Sequence, residues 1–228
     1  SSANIATCDL RNAKVYRLRA TNLAGCPVAG PEGWSCLETI NSAYVLIGAE
    51  ANLSQTDLTQ AVLDGLDISQ ADFSESELKQ VSAVSTIFEG ADFTGAVLDE
   101  ATLLSADLSD ANFTGASLVN VNAASSLLTG ADFSDATLNF SDISASNLTD
   151  AVFAGTQLYR LKALFIYGCS TIQAADISCL TTENSGTILV NPVGDYSSAD
   201  LQNADFAGLS LESAKLYATV LTGANLTN

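Results

Sequence analysis

A five-residue period constrains this chain more than any other feature. From Ala51 to Phe165 the sequence divides into consecutive five-residue blocks without a change of register, and the third residue of every block is hydrophobic or Ala. The run Ala91-Asp92-Phe93-Thr94-Gly95 is typical. Five residues match neither the 3.6-residue period of a helix nor the 2-residue period of a strand, which argues against a helix bundle and a β-sandwich. A short period sustained over this length predicts a solenoid, in which each unit buries its apolar face against the next.

A second spacing, of 20 residues, predicts how many blocks make one coil. Phenylalanines recur at this interval, and we expect them to stack as an aromatic ladder inside the solenoid. They are Phe73, Phe93, Phe113, Phe133 and Phe153. On the opposite face, block centres shrink to Ala in every second coil, and there the residue two positions earlier is larger. The pairs are Val81 with Ala83, Val121 with Ala123, and Leu161 with Ala163. This exchange keeps the inner volume nearly constant, as dense packing requires, and indicates four blocks per coil.

The blocks resemble the pentapeptide-repeat family, whose consensus is a small residue, Asp or Asn, Leu or Phe, a polar residue and then a variable one. Runs such as Ala71–Glu75 and Ala131–Asp135 carry the resemblance, which covers residues 3 to about 23, 51 to about 165, and 199 to 228. It implies an all-β fold, a right-handed quadrilateral β-helix. We therefore expect a single solenoid domain over residues 1–228 that carries two insertions.

One segment of the chain occurs twice. Gly25–Leu37 reappears as Gly168–Leu180, offset by 143 residues. Beyond the second copy we expect one added block, so that Leu53 would correspond to Leu201 at an offset of 148. Insertion by whole blocks would preserve the stacking of coils.

Each copy holds two cysteines ten residues apart, within inserted loops that we place at 26–42 and 169–198. Four cysteines permit three pairings, of which the economical one stays within each copy. It joins Cys26 to Cys36 and Cys169 to Cys179. The alternative is a four-Cys metal site, but the two loops are about six coils apart, roughly 29 Å, and the chain has no His. Disulfides would pin both loops.

The expected disulfides also bear on the compartment. They place the protein outside a reducing cytosol, in an extracytoplasmic location that is secreted, on the cell surface, periplasmic or in the thylakoid lumen. The chain starts Ser-Ser-Ala without Met, as a mature form does after a leader has been removed, although a sequence trimmed for another reason would start in the same way. No apolar run reaches the roughly 18 residues that span a bilayer, so we expect no membrane insertion.

Charge limits the choice of partner. With 26 acids against 8 bases the net charge is −18, which disfavours binding to nucleic acid. From Ala51 to Tyr159 there are 16 acids and one base, Lys79. This is roughly one negative charge per 1.8 Å at about 4.8 Å per coil, close to the roughly 1.7 Å of duplex DNA. Some pentapeptide-repeat proteins are DNA mimics, so the resemblance implies an alternative function: an acidic DNA mimic that inhibits a type II topoisomerase or another DNA-binding protein.

Six of the eight bases lie just before the two Cys loops. They are Arg11, Lys14, Arg17, Arg19, Arg160 and Lys162. One interpretation is that these bases pair with acids of neighbouring coils. The other is that the last four of them form a recognition patch beside each loop. Trp34, the only tryptophan, lies in the first loop and is a candidate binding anchor. The alternative is that its ring folds back onto the coil.

The sequence offers no catalytic or cofactor site. Without His, and with cysteines paired or buried, the usual nucleophile and base arrangements cannot be assembled. Four polar residues stack beside the Phe ladder at 20-residue intervals: Asp72, Asp92, Asn112 and Asp132. Stacked carboxylates could recruit Ca²⁺, but such side chains more often cap turn amides. We therefore expect no enzyme and assign no metal site.

Both ends of the sequence stay in register and no capping helix is visible. Ile5 is in a block centre at one end, as are Leu221 and Leu226 at the other. An uncapped coil presents unpaired strand edges, so we expect end-to-end stacking into dimers or filaments. The alternative is that insertions or terminal turns cover the ends. The leading interpretation is a non-catalytic, extracytoplasmic structural or interaction β-solenoid with an unidentified protein partner.

Overall fold

The computed structural model describes residues 3–11, 13, 17–172, 177–182 and 186–227. Its central part is a stack of coils, each made of four five-residue blocks. The residue before each block centre forms a parallel bridge with its equivalent 20 positions later, as in Asp72 with Asp92. This series runs without a break from Asn52 to Tyr167. The quadrilateral coil expected from the 20-residue spacing is therefore confirmed.

Each block consists of a short extended piece and a tight turn. At Phe93 the backbone N–H donates to Asn112 O in the next coil (2.7 Å), and Ala96 N–H donates back to Phe93 O across the corner (2.9 Å). The fifth residue of every block from 51 to 165 has a positive φ, for example 62° at Glu100. This left-handed residue turns the chain at each corner, which is why the period is five.

The core is a set of side-chain columns along the solenoid axis. The phenylalanine rings of the expected ladder stack with centroid separations of 4.9, 4.8, 5.0 and 5.1 Å. Phe88, from an adjacent face, packs edge-on between Phe73 and Phe93. The large and small residues on the opposite face are all buried, so the volume exchange expected there is also confirmed.

Each Cys loop leads into an antiparallel hairpin. Strands β1 (Ser35–Glu38) and β2 (Tyr44–Ile47) form the first, and β3 (Ser178–Thr182) and β4 (Gly186–Val190) the second. The second strand of each hairpin returns to the wall of the coil. Leu46 N–H donates to Ala20 O (3.0 Å), and Leu189 N–H donates to Ala163 O (3.1 Å).

The offset of 143 residues between the two copies continues beyond the point where the sequence indicated an added block. Asn52 N–H donates to Leu18 O (3.0 Å), and the matching bond runs from Asp195 N–H to Leu161 O (2.9 Å). The coil thus resumes at Asp195, inside the range 169–198 assigned to the second insertion. Leu53 corresponds to Tyr196, and the correspondence with Leu201 is wrong. The expectation failed because Tyr196 occupies a block centre. From the sequence, only aliphatic residues, Phe and Ala were expected at block centres.

The C-terminal coils form a second core around Tyr196, Leu201 and Phe206. Their bridges keep the 20-residue spacing, as in Asp195 with Lys215. The part of the chain that the structure describes has no helix long and apolar enough to cross a bilayer.

Candidate interaction surfaces

The stacked Asp and Asn residues cap turns. Asp72 Oδ1 accepts hydrogen bonds from Ser74 N–H (3.0 Å) and Ser74 Oγ (2.6 Å), and Asp92 receives the same pair from Thr94. These acceptor oxygens are therefore held by their own turns. Within the described residues no three His, Cys, Asp or Glu side chains converge as metal ligands.

Both disulfides have the pairing that the duplicated spacing predicts. Cys26 is bonded to Cys36 and Cys169 to Cys179, each with 5.8 Å between Cα atoms. The alternative of a four-Cys metal site is wrong, because these sulfurs are bonded in pairs. Cys8 is a free, half-buried thiol.

Trp34 packs against the molecule. A Cβ placed on Gly48 would lie 2.6 Å from Trp34 Cγ, so the ring lies directly on the Gly48 backbone. Trp34 is partly buried against the main core. The ring thus folds back onto the coil, and its role as a binding anchor stays a prediction.

The two bases beside the second loop have different environments. Lys162 Nζ forms an ion pair across coils with Asp142 Oδ2 (2.9 Å). Lys215 and Asp195 repeat this arrangement two coils further on (2.8 Å). Arg160 instead lies over the ring of Tyr159, with 5.4 Å from Cζ to the ring centroid.

Near the first loop the bases also differ in their partners. Arg19 Nη1 donates to Asn52 Oδ1 (3.2 Å) and Ser54 Oγ (2.9 Å). Arg11 forms an ion pair with Asp9, two residues away in the chain. Lys14 lies outside the described residues. Of the expected set, Lys162 therefore pairs with an acid of a neighbouring coil, and Arg11 pairs with an acid close by in the chain.

Acids gather along one corner of the solenoid. A surface hollow of about 490 Å³ is lined there by Arg17 and by several carboxylates. The carboxylates are Glu50, Asp72, Glu89, Asp92 and Asp110. Negative charge is therefore concentrated at this corner.

The C-terminal coil has an open face. Leu211, Leu216 and Leu221 point into the solenoid but are only half-buried, and Leu226 is 51% exposed. Leu211, Leu216, Leu226 and Phe206 line an apolar hollow of about 630 Å³. At the other end Ile5 is also half-buried, and Ala24 N–H donates to Ala3 O (2.8 Å) as the first coil closes.

Sequence reasoning missed two exposed aromatics beside Arg160. Phe140 and Tyr159 lie edge to face, with ring centroids 5.3 Å apart, and are 55% and 42% exposed. The available signal was position, since Phe140 is the fifth residue of its block, where the chain mostly has Gly or polar residues.

Comparison with known proteins gives a family match. A family model described as pentapeptide repeats matches the chain in eight copies, over residues 49–80, 76–115, 116–155 and 197–228, more than half of its length. No curated protein sequence matches the chain.

Three solved structures illustrate the structural similarity. A trypsin-treated form of QnrB1, a plasmid-mediated fluoroquinolone resistance protein, is 23% identical with a TM-score of 0.49, over 52% of this chain and 60% of that one. HetL, a pentapeptide repeat protein involved in heterocyst differentiation regulation in Nostoc sp. strain PCC 7120, is 25% identical with a TM-score of 0.35, over 78% and 75%. A pentapeptide repeat protein of the Arabidopsis thaliana thylakoid lumen is 31% identical with a TM-score of 0.31, over 45% and 64%. The chain thus spans less than two thirds of the QnrB1 chain that it matches.

Proposed function

The chain belongs to the pentapeptide-repeat family, and from this premise we propose that it is a non-catalytic, extracytoplasmic β-solenoid that acts as a rigid interaction module and associates end to end. Its core supports the rigid role. Stacked coils, parallel bridges and the Phe ladder repeat the same contacts from Asn52 to Tyr167. Such a rod holds surface side chains at set positions along one axis.

The two disulfides support the extracytoplasmic part of the proposal. Structural disulfides persist in oxidising compartments and are rare in a reducing cytosol. Both close short loops at equivalent places in a duplicated segment, so the chain uses the same device twice.

The open face of the C-terminal coil carries the proposal of association. Core-facing leucines there are half-buried around an apolar hollow of about 630 Å³. In the central coils such side chains are buried beneath the next coil, and a second copy would cover the open face in the same way. A tail-to-tail contact would give a closed dimer, whereas stacking a C-terminal coil on an N-terminal coil near Ile5 would propagate into a filament.

A matched pair of substitutions tests this association. Leu226→Asp places a charge on the open face, while Leu127→Asp places one on the lateral surface, where the side chain is similarly exposed at 46%. We expect the mass of the wild type in sedimentation velocity to rise with concentration, Leu226→Asp to stay monomeric, and Leu127→Asp to behave as the wild type. Equal thermal midpoints of the two variants would show that both fold. A wild type that stays monomeric throughout, or a Leu226→Asp variant that still associates, would overturn the proposal.

A second candidate, the acidic DNA mimic, draws support from the spacing of the coils. Phe93 and Phe113 stack 4.8 Å apart, and the 16 acids and one base from Ala51 to Tyr159 keep a charge density near that of duplex DNA. Its test is a gyrase supercoiling assay with the oxidised full chain. Inhibition at sub-micromolar protein would make mimicry the leading function, and no inhibition at tenfold higher protein would remove it.

A further inference from the structure

Two exposed aromatic rings and an arginine share one corner of the solenoid: Phe140, Tyr159 and Arg160, here named the aromatic corner. In earlier coils the same corner carries a polar ladder, in which Gln60 Nε2 donates to Gln80 Oε1 (2.8 Å) and Gln80 Nε2 donates to Glu100 Oε2 (2.7 Å). The chemistry of the corner therefore changes from amide and carboxylate to aromatic and cation within a few coils.

Two residues of the aromatic corner occupy backbone conformations that their side chains disfavour. Phe140 has φ 64° and Arg160 has φ 59°. Bulky L residues rarely adopt this left-handed region, which suits Gly and Asn. Folding alone would favour a small residue at both turns. The same conformation recurs at the fifth residue of every block from 51 to 165, so the large side chains, and not the backbone, distinguish these two positions from most other corners.

Backbone hydrogen bonds hold all three residues in place. Phe140 N–H donates to Tyr159 O (2.8 Å), Tyr159 N–H to Asn139 Oδ1 (2.8 Å), and Arg160 N–H to Val193 O (2.7 Å). The rings therefore project from a rigid wall. Because the corner is already held in place, it loses little conformational entropy when a partner binds.

Arg160 has no carboxylate within ion-pair distance among the described residues. This is notable in a chain with 26 acids, because Lys79, Lys162 and Lys215 each have one. The guanidinium lies on the Tyr159 ring and keeps its hydrogen-bond donors for a ligand.

We propose that the aromatic corner binds a segment of another protein that carries a carboxylate next to an aromatic or aliphatic side chain. The carboxylate pairs with the Arg160 guanidinium, whose fork of N–H groups matches two oxygens. The apolar side chain packs on Phe140 and Tyr159. Tyr and Arg are the residue types that most often dominate protein interfaces. The acidic coils repel such a segment elsewhere, which directs it to this corner.

A peptide selection tests the proposal with a defined probe. Random 12-residue peptides displayed on phage are selected on the oxidised full chain, and clones that also bind an Arg160→Glu, Tyr159→Ser variant are removed. We expect the remaining peptides to share Asp or Glu within two positions of an aromatic or aliphatic residue. The proposal is overturned if no shared motif remains.

Calorimetry with one synthetic selected peptide then assigns the contacts. Arg160→Glu should weaken binding at least about tenfold, and Phe140→Asn, which suits the left-handed turn, should weaken it several-fold. The control Lys79→Glu reverses an exposed charge four coils before Tyr159 and should leave affinity unchanged. Equal affinities of the wild type and Arg160→Glu would overturn the proposal. So would a wild-type self-association that Arg160→Glu abolishes, because a second copy would then cover the corner.

Discussion

Phe113 illustrates at the residue scale how each block centre is held. Its ring lies 4.8 Å from that of Phe93 and 5.0 Å from that of Phe133, with planes within 3° of parallel. The side chain is fully buried. Phe140, by contrast, projects from a turn and contacts Tyr159 alone among the aromatic rings described. The same residue type therefore has two roles, set by its position in the block.

Substitutions at these two phenylalanines should differ strongly in cost. Phe113→Ala leaves a cavity in the ladder and should lower the free energy of unfolding by about 3–5 kcal/mol. Phe140→Ala should lower it by less than about 1 kcal/mol, since it removes mainly one exposed aromatic contact. Urea denaturation measures both. Phe113→Asp should prevent folding, because it buries an unpaired charge. Similar costs for the two alanine variants would contradict the ladder as the source of stability.

Tyr196 links the second core to pH. Its hydroxyl donates to Asn191 O (2.8 Å) and accepts from Asn191 N–H (2.9 Å). Burial raises the pKa of Tyr196 to about 12, with the Asn191 N–H opposing the rise. The unfolded value is about 10. Because the folded pKa is the higher one, the associated stability is complete below pH about 10 and is lost as pH rises through about 12.

Tyr196→Phe should remove this alkaline loss. It should also lower stability at neutral pH by about 1–3 kcal/mol, since two buried Asn191 backbone groups lose their partner. The free energy of unfolding, measured from neutral pH to pH about 12, tests both effects. Tyr217→Phe is the control, because that side chain is 77% exposed. A Tyr196→Phe curve parallel to that of the wild type would refute the assignment.

At the element scale, the two hairpins are copies of one module. Cys36 lies opposite Leu46 in the first and Cys179 opposite Leu189 in the second, so the registers match. In each hairpin the first strand, β1 or β3, carries a disulfide cysteine, and the second strand, β2 or β4, joins the coil wall. The cysteine spacing predicts the covalent bonds, but the hairpins need pairing between strands and were expected only as loops.

Removal of the second disulfide should act locally. Cys169→Ser combined with Cys179→Ser should cost about 2–3 kcal/mol through loop-closure entropy. Since solenoid units contact only their neighbours, hydrogen exchange should rise in β3, β4 and the coil beside them. The coils around Phe93 and Phe113 should keep their protection. Cys8→Ser, at the half-buried free thiol, is the control, and a uniform loss of protection along the chain would contradict local coupling.

At the scale of the whole molecule, the packing repeat is two coils. Ala83 with Val81 and Ala123 with Val121 alternate with larger centres in the coils between them. Stability should therefore depend on which coils are adjacent as well as on how many there are.

Deletions of one and two coils should separate these effects. Removing residues 91–110 keeps the block register but places two Ala-centred coils next to each other, which mismatches the inner volume. Removing 91–130 restores the alternation. We expect the shorter chain to have the higher thermal midpoint, measured by circular dichroism. A midpoint that falls steadily with each deleted coil would contradict the two-coil repeat.

The candidate surfaces were only partly predictable. The sequence singled out Arg160 and Lys162 together, yet the structure pairs Lys162 with Asp142 and leaves Arg160 on Tyr159. A base meets an acid of the neighbouring coil only if an acid lies 20 positions away in the chain. A count of charges does not include this spacing. The position of the Trp34 ring likewise depends on Gly48, because the ring lies on the Gly48 backbone. The spacing of blocks does not single out Gly48.

The sequence by itself determined the coil, its four sides, the Phe ladder and the pairing of the cysteines. Each of these repeats at a set interval, so one local rule applied many times defines it. Only the tertiary structure decided that Leu53 corresponds to Tyr196, that the Cys loops lead into hairpins, and that Phe140, Tyr159 and Arg160 meet at one corner. These features depend on which segments come together after the insertions return to the coil, and such contacts between distant segments leave no periodic signal in the chain.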